Sequence, residues 1–248
     1  MSKIVWITGA GKGIGRSLAL RMASEGWVVA ASARTVADLE TLVSESGGGR
    51  VHAFPLDITD VEANGLVLGE IERKLGPVDL AVLNAGTHRP MSAADFDIGT
   101  VRGLVETNLM GTVNGLGALL PLFRSRKQGR IAVVSSVAGY RGLPTSAAYG
   151  ATKAALINLC EALKPELDRD GVSLSLINPG FVETPLTDEN EFPMPFLVTS
   201  EAAADSIYKG LIAEKFEIVF PWKFAIVMKL LRLLPNRLLF ALTSRMVT

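Results

Sequence analysis

Thr8-Gly9-Ala10-Gly11-Lys12-Gly13-Ile14-Gly15 is the segment of this chain that most strongly indicates its fold. It closes the apolar run Lys3–Thr8 and leads at once into a segment where Ile14, Leu18 and Met22 share one helical face. Glycines between a strand and a helix let the backbone turn tightly and approach a pyrophosphate, to which the helix N-terminus offers free N–H groups. The stretch therefore predicts a strand, a phosphate-binding turn and a helix in succession.

The same alternation of short apolar runs and helical stretches continues along the chain. Strands are predicted at Lys3–Thr8, Trp27–Ser32, Val51–Leu56, Asp79–Leu83, Arg130–Ser135, Val172–Ile177 and Glu217–Phe220. Further helices are predicted at Val36–Glu45, Val61–Leu75, Val101–Arg124, Ala147–Asp170, Ser200–Ala213 and Lys223–Thr243. Several of the strands are continuously apolar, which is typical of parallel strands covered on both faces. The pattern predicts an α/β fold, a doubly wound, Rossmann-like parallel sheet of about seven strands with helices on both faces.

Composition indicates the general class of protein. A chain of 248 residues without an internal repeat or linker predicts a single domain over residues 1–248. Basic and acidic residues number 25 each, so no nucleic-acid partner is expected. One cysteine, Cys160, and an N-terminus without a leader favour a cytoplasmic location. Neither His52 nor His88 has a partner at metal-ligand spacing, and no metal site is predicted.

The end of the second predicted strand bears on the choice of nucleotide. An NAD site carries a carboxylate about 20 residues after the glycine turn, where it accepts hydrogen bonds from the ribose diol. This strand instead ends in Ala30-Ala31-Ser32-Ala33-Arg34-Thr35, with no acid. The Arg34 guanidinium suits a 2′-phosphate, and Lys12 of the glycine stretch lies within reach of the same group. The sequence favours NADP, although both cations would also suit a solvated surface.

Three further side chains form a pattern typical of proton transfer. Ser135-Ser136 ends the fifth predicted strand, and Tyr149 and Lys153 follow one helical turn apart, on one face. A neighbouring ammonium lowers the pKa of a phenol from about 10 toward neutrality. A serine hydroxyl can donate to a carbonyl oxygen on which charge develops. The set predicts chemistry at a carbonyl or alcohol; a Tyr–Lys pair at this spacing also occurs as a plain solvated pair.

Together these motifs make the sequence similar to the short-chain dehydrogenase/reductase family, in its shorter single-domain branch. The matching positions are Thr8–Gly15, Asp57, Asn84-Ala85-Gly86, Asn108, Ser136, Tyr149 with Lys153, and Asn178-Pro179-Gly180 with Thr184. The resemblance weakens after about residue 184. It implies an NADP(H)-dependent oxidoreductase that moves a hydride between the nicotinamide and a carbonyl or alcohol. It also implies a homo-oligomer, either a dimer or a tetramer.

The resemblance implies a catalytic role for four of these residues. Tyr149 would be the general acid/base, and Ser136 would polarise the substrate oxygen. Lys153 would lower the Tyr149 pKa and bind the nicotinamide ribose. Asn108 would hold the water that links Lys153 to bulk solvent; taken alone, it would more often be a buried amide satisfied by backbone. Ser135 is expected to be structural.

The resemblance also implies a cofactor site. Asp57 would accept from the adenine amino group, unless it only caps the next helix, a role that Thr59 or Asp60 fills better. Asn84 would pack beside the adenosine ribose, and Thr184 would contact the carboxamide. The residues predicted to bind the cofactor are Thr8, Gly9, Gly11, Lys12, Gly13, Ile14, Gly15, Arg34, Asp57, Ile58, Asn84, Ala85, Gly86, Tyr149, Lys153, Pro179, Gly180, Val182 and Thr184.

The substrate is less constrained than the cofactor. Two loops, Ala138–Ser146 and Thr184–Thr199, are expected at the substrate end, and their apolar residues indicate an apolar ketone or aldehyde unless they pack the loops on themselves. These residues are Tyr140, Leu143, Pro144, Leu186, Phe192, Met194, Phe196 and Leu197. Asp188, Glu189 and Glu191 are expected on a solvated rim.

Two alternative functions stay open. A 3-oxoacyl thioester reductase would use the same catalytic groups, with a basic cluster attracting an acidic carrier. That cluster comprises Arg124, Arg126, Lys127 and Arg130. A non-catalytic NADP(H)-binding sensor would keep the glycine turn and tend to lose the Tyr–Lys pair.

The C-terminal segment, about residues 222–248, combines apolar residues with positive charge only. After Glu217 the chain has no acid, and its cations are Lys223, Lys229, Arg232, Arg237 and Arg245. Charges and Pro235 within the run argue against a membrane-spanning helix. The segment is predicted to be helical and to serve a subunit interface, a lid over the substrate cleft, or peripheral contact with a membrane.

Overall fold

The computed structural model describes residues 2–187 and 194–246. In this part of the chain the strands are β1 (Ile4–Thr8), β2 (Val28–Ser32), β3 (Val51–Ala53), β4 (Leu80–Leu83), β5 (Gly129–Val134), β6 (Val172–Pro179) and β7 (Glu217–Phe220). The α-helices are α1 (Gly13–Ser24), α2 (Val36–Ser46), α3 (Val61–Leu75), α4 (Ile98–Leu104), α5 (Gly111–Arg126), α6 (Ala147–Arg169), α7 (Ser200–Ile212), α8 (Trp222–Leu233) and α9 (Asn236–Thr243).

The strands form one parallel sheet in the order β3-β2-β1-β4-β5-β6-β7. β1 pairs with β2 on one side and with β4 on the other, so successive connections leave β1 in opposite directions across the sheet. In open α/β sheets ligands bind outside the carboxyl ends of the strands at such a switch point. The predicted doubly wound parallel sheet of seven strands is confirmed.

Alternate side chains of each central strand supply the two halves of the core. Val5 and Ile7 of β1 pack against α1, α2 and α7, whereas Ile4 and Trp6 point to α3, α5 and α6 on the other face. Because both faces of the sheet are covered, both sets of side chains must be apolar. This explains why the strands are continuously apolar in sequence.

Two predicted elements differ from the structure near a proline. β3 ends at Ala53 rather than Leu56, although the N–H groups of Phe54 and Leu56 still donate to the segment after Ala30. Pro55 lies on the open edge of the sheet, where no strand requires its N–H. The helix predicted over Lys223–Thr243 is two helices, α8 and α9. Leu234 between them is extended, with ψ of 136°, as expected for a residue before proline. No helix in the described residues is both long and apolar enough to cross a bilayer.

The long helix predicted over Val101–Arg124 also departs from a regular α-helix. It starts earlier, at Ile98, because the Asp97 carboxylate accepts a 2.6 Å hydrogen bond from the backbone N–H of Thr100 and so caps α4. Between α4 and α5 lies a π-helical turn, Val105–Met110, which contains the predicted site residue Asn108. Such turns are frequent at functional sites.

Candidate active site

A cleft of about 380 Å³ opens at the carboxyl ends of the strands. The predicted site residues that line it are Gly9, Gly11, Lys12, Gly13, Ile14, Gly15, Arg34, Asp57, Ile58, Asn84, Ala85, Gly86, Ser136, Tyr149, Lys153, Pro179, Gly180 and Thr184. Three further predicted residues, Thr8, Asn108 and Val182, are buried. The fold thus gathers residues from six strand ends into one space.

The turn between β1 and α1 requires glycine at two positions. Gly9 and Gly13 have positive φ values of 67° and 53°, in the left-handed region that other residues rarely adopt. At Gly9 a side chain would also collide with the backbone, since its Cβ would lie 2.7 Å from the Cα of Ala85. The turn after β1 therefore lies directly against the loop after β4.

Asn84 joins these two loops. Its Nδ2 donates hydrogen bonds to the carbonyl oxygens of Thr8, at 3.0 Å, and Gly9, at 3.2 Å. In return, the Thr8 hydroxyl accepts from the backbone N–H groups of Asn84 and Ala85. Asn84 was predicted to pack beside a ribose; in the structure its amide also holds the shape of the glycine turn.

The N-terminus of α1 is suited to an anion. Lys12 is the N-cap of α1, and within the described residues no side chain of that cap accepts from the first-turn N–H groups. α3 and α7, in contrast, are capped by the side chains of Asp60 and Thr199. Free N–H groups and the positive end of the helix dipole thus face the cleft, as a diphosphate requires.

The part of the cleft after β2 carries two cations and one carboxylate. Arg34 is exposed and has no ion pair among residues 2–187 and 194–246. Lys12 Nζ lies 3.5 Å from Oδ2 of Asp38, which also lines the cleft. Asp38 is not among the predicted site residues, because it lies in the first turn of α2 rather than at the end of the preceding strand.

Asp57 stands at the edge of the cleft and does not cap the following helix. Asp60 is the cap of α3, accepting from the N–H of Ala63 at 3.0 Å. The Asp57 carboxylate accepts from the N–H and the hydroxyl of Thr59, at 3.0 and 2.8 Å. The backbone hydrogen bond from Thr59 is the main cause that lowers the pKa of Asp57, and the charge of Arg34 adds to it. Asp57 is therefore an anionic acceptor near Arg34.

Ser136, Tyr149 and Lys153 meet at the inner end of the cleft. Ser136 follows β5, and its Oγ donates to the carbonyl oxygen of Pro179 at 3.3 Å. From α6, the Lys153 Nζ lies 5.6 Å from the ring centre of Tyr149 and donates to the carbonyl oxygen of Val134 at 3.0 Å. The structure therefore brings the three predicted catalytic side chains together.

Ser135 points elsewhere, as expected of a structural residue. Its buried Oγ donates to the backbone carbonyl oxygen of Lys153 at 2.8 Å, which holds α6 against the end of β5. The two adjacent serines thus have different roles, because neighbouring residues of an extended segment point to opposite sides. Ser136 lies beside Tyr149 and Lys153, whereas Ser135 binds the backbone of α6.

Loss of water around Tyr149 and Lys153 changes both pKa values. Burial raises the pKa of Tyr149, against a hydrogen bond with the Ser136 hydroxyl that lowers it. Burial lowers the pKa of Lys153 to about 8. The sequence predicts that the lysine charge lowers the tyrosine pKa; in the structure, burial of the phenol raises it instead.

Asn108 connects the loop after β4 to α6. Its Oδ1 accepts from the N–H of Thr87 at 2.7 Å, and its Nδ2 donates to the carbonyl oxygen of Thr87 at 2.9 Å and to the Thr152 hydroxyl at 3.2 Å. The fully buried amide is thus satisfied largely by backbone, the alternative that the sequence left open. Its role in holding a water stays a prediction.

Comparison with known proteins identifies the family. The family model described as short chain dehydrogenase matches residues 3–193. The chain is a short-chain dehydrogenase/reductase. An uncharacterized oxidoreductase of Myxococcus xanthus (strain DK1622) is 38% identical over 242 residues, covering 97% of this chain and 96% of that protein.

Solved structures show which nucleotides such folds hold. The structure of ElxO with NADP bound is 26% identical, covers 88% of this chain and 98% of its own, and superposes with a TM-score of 0.79. A short-chain dehydrogenase/reductase from Burkholderia phymatum in complex with NAD shares the fold, with a TM-score of 0.85, 22% identity and 92% of both chains covered. This dehydrogenase/reductase therefore belongs to a family of oxidoreductases that bind a nicotinamide cofactor, NAD in one neighbour and NADP in another.

One predicted substrate residue of this dehydrogenase/reductase, Tyr140, has a different environment from the one expected. It is buried, and its hydroxyl donates to the Glu217 carboxylate of β7, which also pairs with Lys229 of α8. Asn178 donates to both the Tyr140 hydroxyl, at 3.2 Å, and Glu217 Oε1, at 3.1 Å. Burial of the phenol raises the pKa of Tyr140. Tyr140 therefore anchors its loop to β7 and α8 rather than contacting substrate.

Of the other expected substrate residues, Leu186 lines the cleft, and Phe196 and Leu197 are exposed. The expected substrate residue Phe192 and the expected rim residues Asp188, Glu189 and Glu191 lie outside the described residues.

Proposed function

We propose that this short-chain dehydrogenase/reductase is an NADP(H)-dependent carbonyl reductase or alcohol dehydrogenase with Ser136, Tyr149 and Lys153 as its catalytic side chains. The observation that carries the proposal is that these three groups share one cleft with the glycine turn and the uncapped N-terminus of α1. A non-catalytic sensor needs only the residues that bind the nucleotide. The presence of the three proton-transfer side chains in the same cleft therefore favours an enzyme.

The cleft has the groups that a dinucleotide needs. The glycine turn, from Gly9 to Gly15, and the N–H groups of α1 would hold the pyrophosphate. Asp57, Ile58 and Asn84, with Ala85 and Gly86, would hold the adenosine, while Pro179, Gly180 and Thr184, backed by the buried Val182, would hold the nicotinamide. NADPH, when bound, supplies the hydride.

The cations at the adenosine end support NADP over NAD. Arg34 has no carboxylate within ion-pair distance in the described residues, so its planar donors are free for a 2′-phosphate. Lys12 offsets the charge of Asp38, which would otherwise repel a phosphate. An exposed arginine at the strand end and a lysine in the turn together fit a phosphorylated ribose.

The residues of the catalytic end suit transfer of a proton to a carbonyl oxygen. The Ser136 hydroxyl would donate a hydrogen bond to that oxygen, stabilising the charge that develops on it. The Tyr149 phenol would then give its proton to the same oxygen. Because burial raises its pKa, Tyr149 keeps its proton at neutral pH, which is the form that carbonyl reduction uses. Lys153 would bind the ribose next to the nicotinamide.

The substrate we propose is an apolar ketone or aldehyde, since Leu186 lines the cleft and Phe196 and Leu197 flank the same loop. A homo-oligomer, dimer or tetramer, in the cytoplasm is part of this proposal, on the family resemblance and the single cysteine. We propose neither a nucleic-acid partner nor a metal.

The basic cluster near the end of α5 does not favour a carrier-bound 3-oxoacyl thioester. Arg130 lies at the start of β5, at the amino ends of the strands, whereas the cleft opens at their carboxyl ends. Arg126 makes a bidentate ion pair with Glu72, and Arg124 pairs with Asp170. A carrier held by this cluster would sit at the opposite edge of the sheet from Tyr149.

The proposal is tested by following NADPH consumption with apolar ketones, aldehydes, steroids and acyl thioesters, using the wild type and Tyr149→Phe. We expect turnover of an apolar carbonyl by the wild type, and a loss of about 10²–10⁴-fold in the variant. Both proteins should bind NADPH equally in a fluorescence titration. Unchanged turnover in Tyr149→Phe would overturn the mechanism, and NADPH binding without turnover of any carbonyl would favour the sensor. A preference for small sugars would reject the apolar substrate.

A further inference from the structure

The C-terminal helix α8 is apolar on two faces, but the protein covers only one of them. Phe224, Ala225 and Met228 point inward and are buried. On the outer side lie five large apolar residues that are 45–79% exposed: Trp222, Ile226, Val227, Leu230 and Leu233. A surface helix of a soluble protein normally has one apolar stripe, which faces the core, and polar residues on the opposite face. The outer face of α8 is therefore unpartnered in the described protein.

The next helix, α9, also carries exposed apolar residues. Leu238, Phe240 and Leu242 are 56, 61 and 48% exposed, while Leu239 is buried. We call the exposed apolar residues of α8 and α9, together with Lys223, Arg237 and Arg245, the C-terminal face. The exposed apolar residues of α8 lie on one side of that helix, and such a patch marks an interaction site rather than ordinary surface.

The charge of the C-terminal face has one sign only. No acid follows Glu217 in the sequence, although the whole chain is neutral. Two cations of the segment are engaged, Lys229 with Glu217 and Arg232 with Glu161. Lys223, Arg237 and Arg245 have no ion pair among residues 2–187 and 194–246, and Lys223 lies over the ring of Trp222. Lys223 thus lies among the exposed apolar residues of α8, and Arg237 and Arg245 add two cations without an ion pair in the described residues.

We propose that the C-terminal face binds the surface of a membrane that contains anionic lipids. Cations beside a Trp- and Leu-rich apolar face are the composition of helices that lie in the interfacial plane of a bilayer. Tryptophan prefers that interface, because one side of its ring is apolar and the other carries an N–H. Neither helix is long enough to cross the bilayer, so both would lie along it.

The charge argues against a second copy of the chain as the occupant. A two-fold interface places the same surface on itself, so that each residue meets its own equivalents. The cations of the C-terminal face would then meet cations, with no carboxylate of the segment after Glu217 to pair with them. Anionic headgroups supply the missing opposite charge.

Contacts on the inner side of α8 hold the C-terminal face outward. Lys229 pairs with Glu217, the residue that also accepts from buried Tyr140. Phe224 stacks on Phe181 at 5.3 Å between ring centres and lies 6.2 Å from Phe196. Phe196 belongs to the loop that follows the cleft residue Leu186. These contacts hold the inner side of α8 against the rest of the protein.

The test is flotation of the full chain with vesicles of phosphatidylcholine alone and of phosphatidylcholine with phosphatidylserine. We expect the protein to float with the anionic vesicles and much less with the neutral ones, and high salt to reduce flotation. Lys223→Gln and Arg237→Gln should each lower partitioning by about fivefold. Leu230→Gln should lower it by about tenfold or more.

Matched controls lie on α3, away from this face. Arg73→Gln removes an exposed cation, and Leu66→Gln removes an apolar side chain that is 73% exposed. Both should float like the wild type. The Tyr149→Phe variant should also float, so that failure of lipid binding and failure of the proposed reaction are separate results.

Three outcomes would overturn the proposal. The first is no flotation with either vesicle. The second is equal flotation with neutral and anionic vesicles, which would leave the cations without a role. The third is a wild type that does not float with either vesicle, together with a smaller oligomer for Leu230→Gln in light scattering. That result would assign the face to a second copy of the chain.

Discussion

Gly15 packs so closely on Gly9 that a Cβ atom at residue 15 would lie 2.2 Å from the Gly9 carbonyl oxygen and 2.5 Å from Nδ2 of Asn84. The first turn of α1 therefore rests on the end of β1 with no room for a side chain. This contact positions the uncapped N–H groups of α1 at the cleft, and it makes the last glycine of the turn a geometric requirement.

Gly15→Ala is expected to weaken NADPH binding by at least about tenfold and to lower the free energy of unfolding by about 1–3 kcal/mol, because backbone atoms cannot give way. Gly117→Ala on α5 is the matched control, since a Cβ there meets no atom within 4 Å. That variant should be more stable by about 0.5–1 kcal/mol and bind NADPH normally. Equal NADPH affinity in the two variants would contradict this account of the turn.

Asn84→Ala should shift both stability and cofactor affinity, because the carbonyl oxygens of Thr8 and Gly9 lose their side-chain donor. We expect a loss of about 1–3 kcal/mol in urea unfolding, with weaker NADPH binding. Asn84→Asp should lower the stability further, because it places a carboxylate oxygen against the carbonyl oxygens of Thr8 and Gly9. An Asn84→Asp protein as stable as Asn84→Ala would show that the amide does not organise the turn.

Arg34→Ala is expected to raise the KM for NADPH by about 10- to 100-fold and to change the KM for NADH little, because a charge-assisted hydrogen bond contributes about 1.5–3 kcal/mol. Arg73→Ala, on the exposed side of α3, is the control and should change neither value. The measurement is initial rates with both cofactors. A parallel rise in both KM values would remove Arg34 as the selector for the 2′-phosphate.

The buried Lys153 predicts a particular dependence of stability on pH. Its pKa falls from 10.5 to about 8 on burial, so between these values the unfolded chain binds a proton that the folded protein does not. Stability must rise with pH in that window. Compared with Lys153→Met, the wild type should gain up to about 3 kcal/mol between about pH 8 and 10.5. A pH-independent difference in unfolding free energy would refute the lowered pKa.

Some elements could be predicted with their observed ends because local chemistry marks those ends. Helix α3 runs over the predicted residues, since Asp60 caps its start and Gly76 follows its end. Strand β7 likewise ends where Pro221 follows Phe220. The helix predicted through Pro235 was wrong for the converse reason, since apolar periodicity outweighed a proline in the sequence argument.

The site was predictable where neighbours in sequence are neighbours in space. Other features depend on contacts between distant segments. Asp38 lines the cleft from α2. Tyr140 points away from the cleft, because its hydroxyl donates to Glu217 and accepts from Asn178. The spacing of residues in the local sequence does not predict contacts of this kind.

Local patterns were enough to predict the glycine turn, the parallel sheet and the shared helical face of Tyr149 and Lys153, because backbone sterics and the helical repeat act over a few residues. The outward apolar face of α8, the burial of Tyr140 beside Glu217 and the raised pKa of Tyr149 could not be predicted from local patterns. These depend on burial, and burial is set by segments that the chain brings together from far apart.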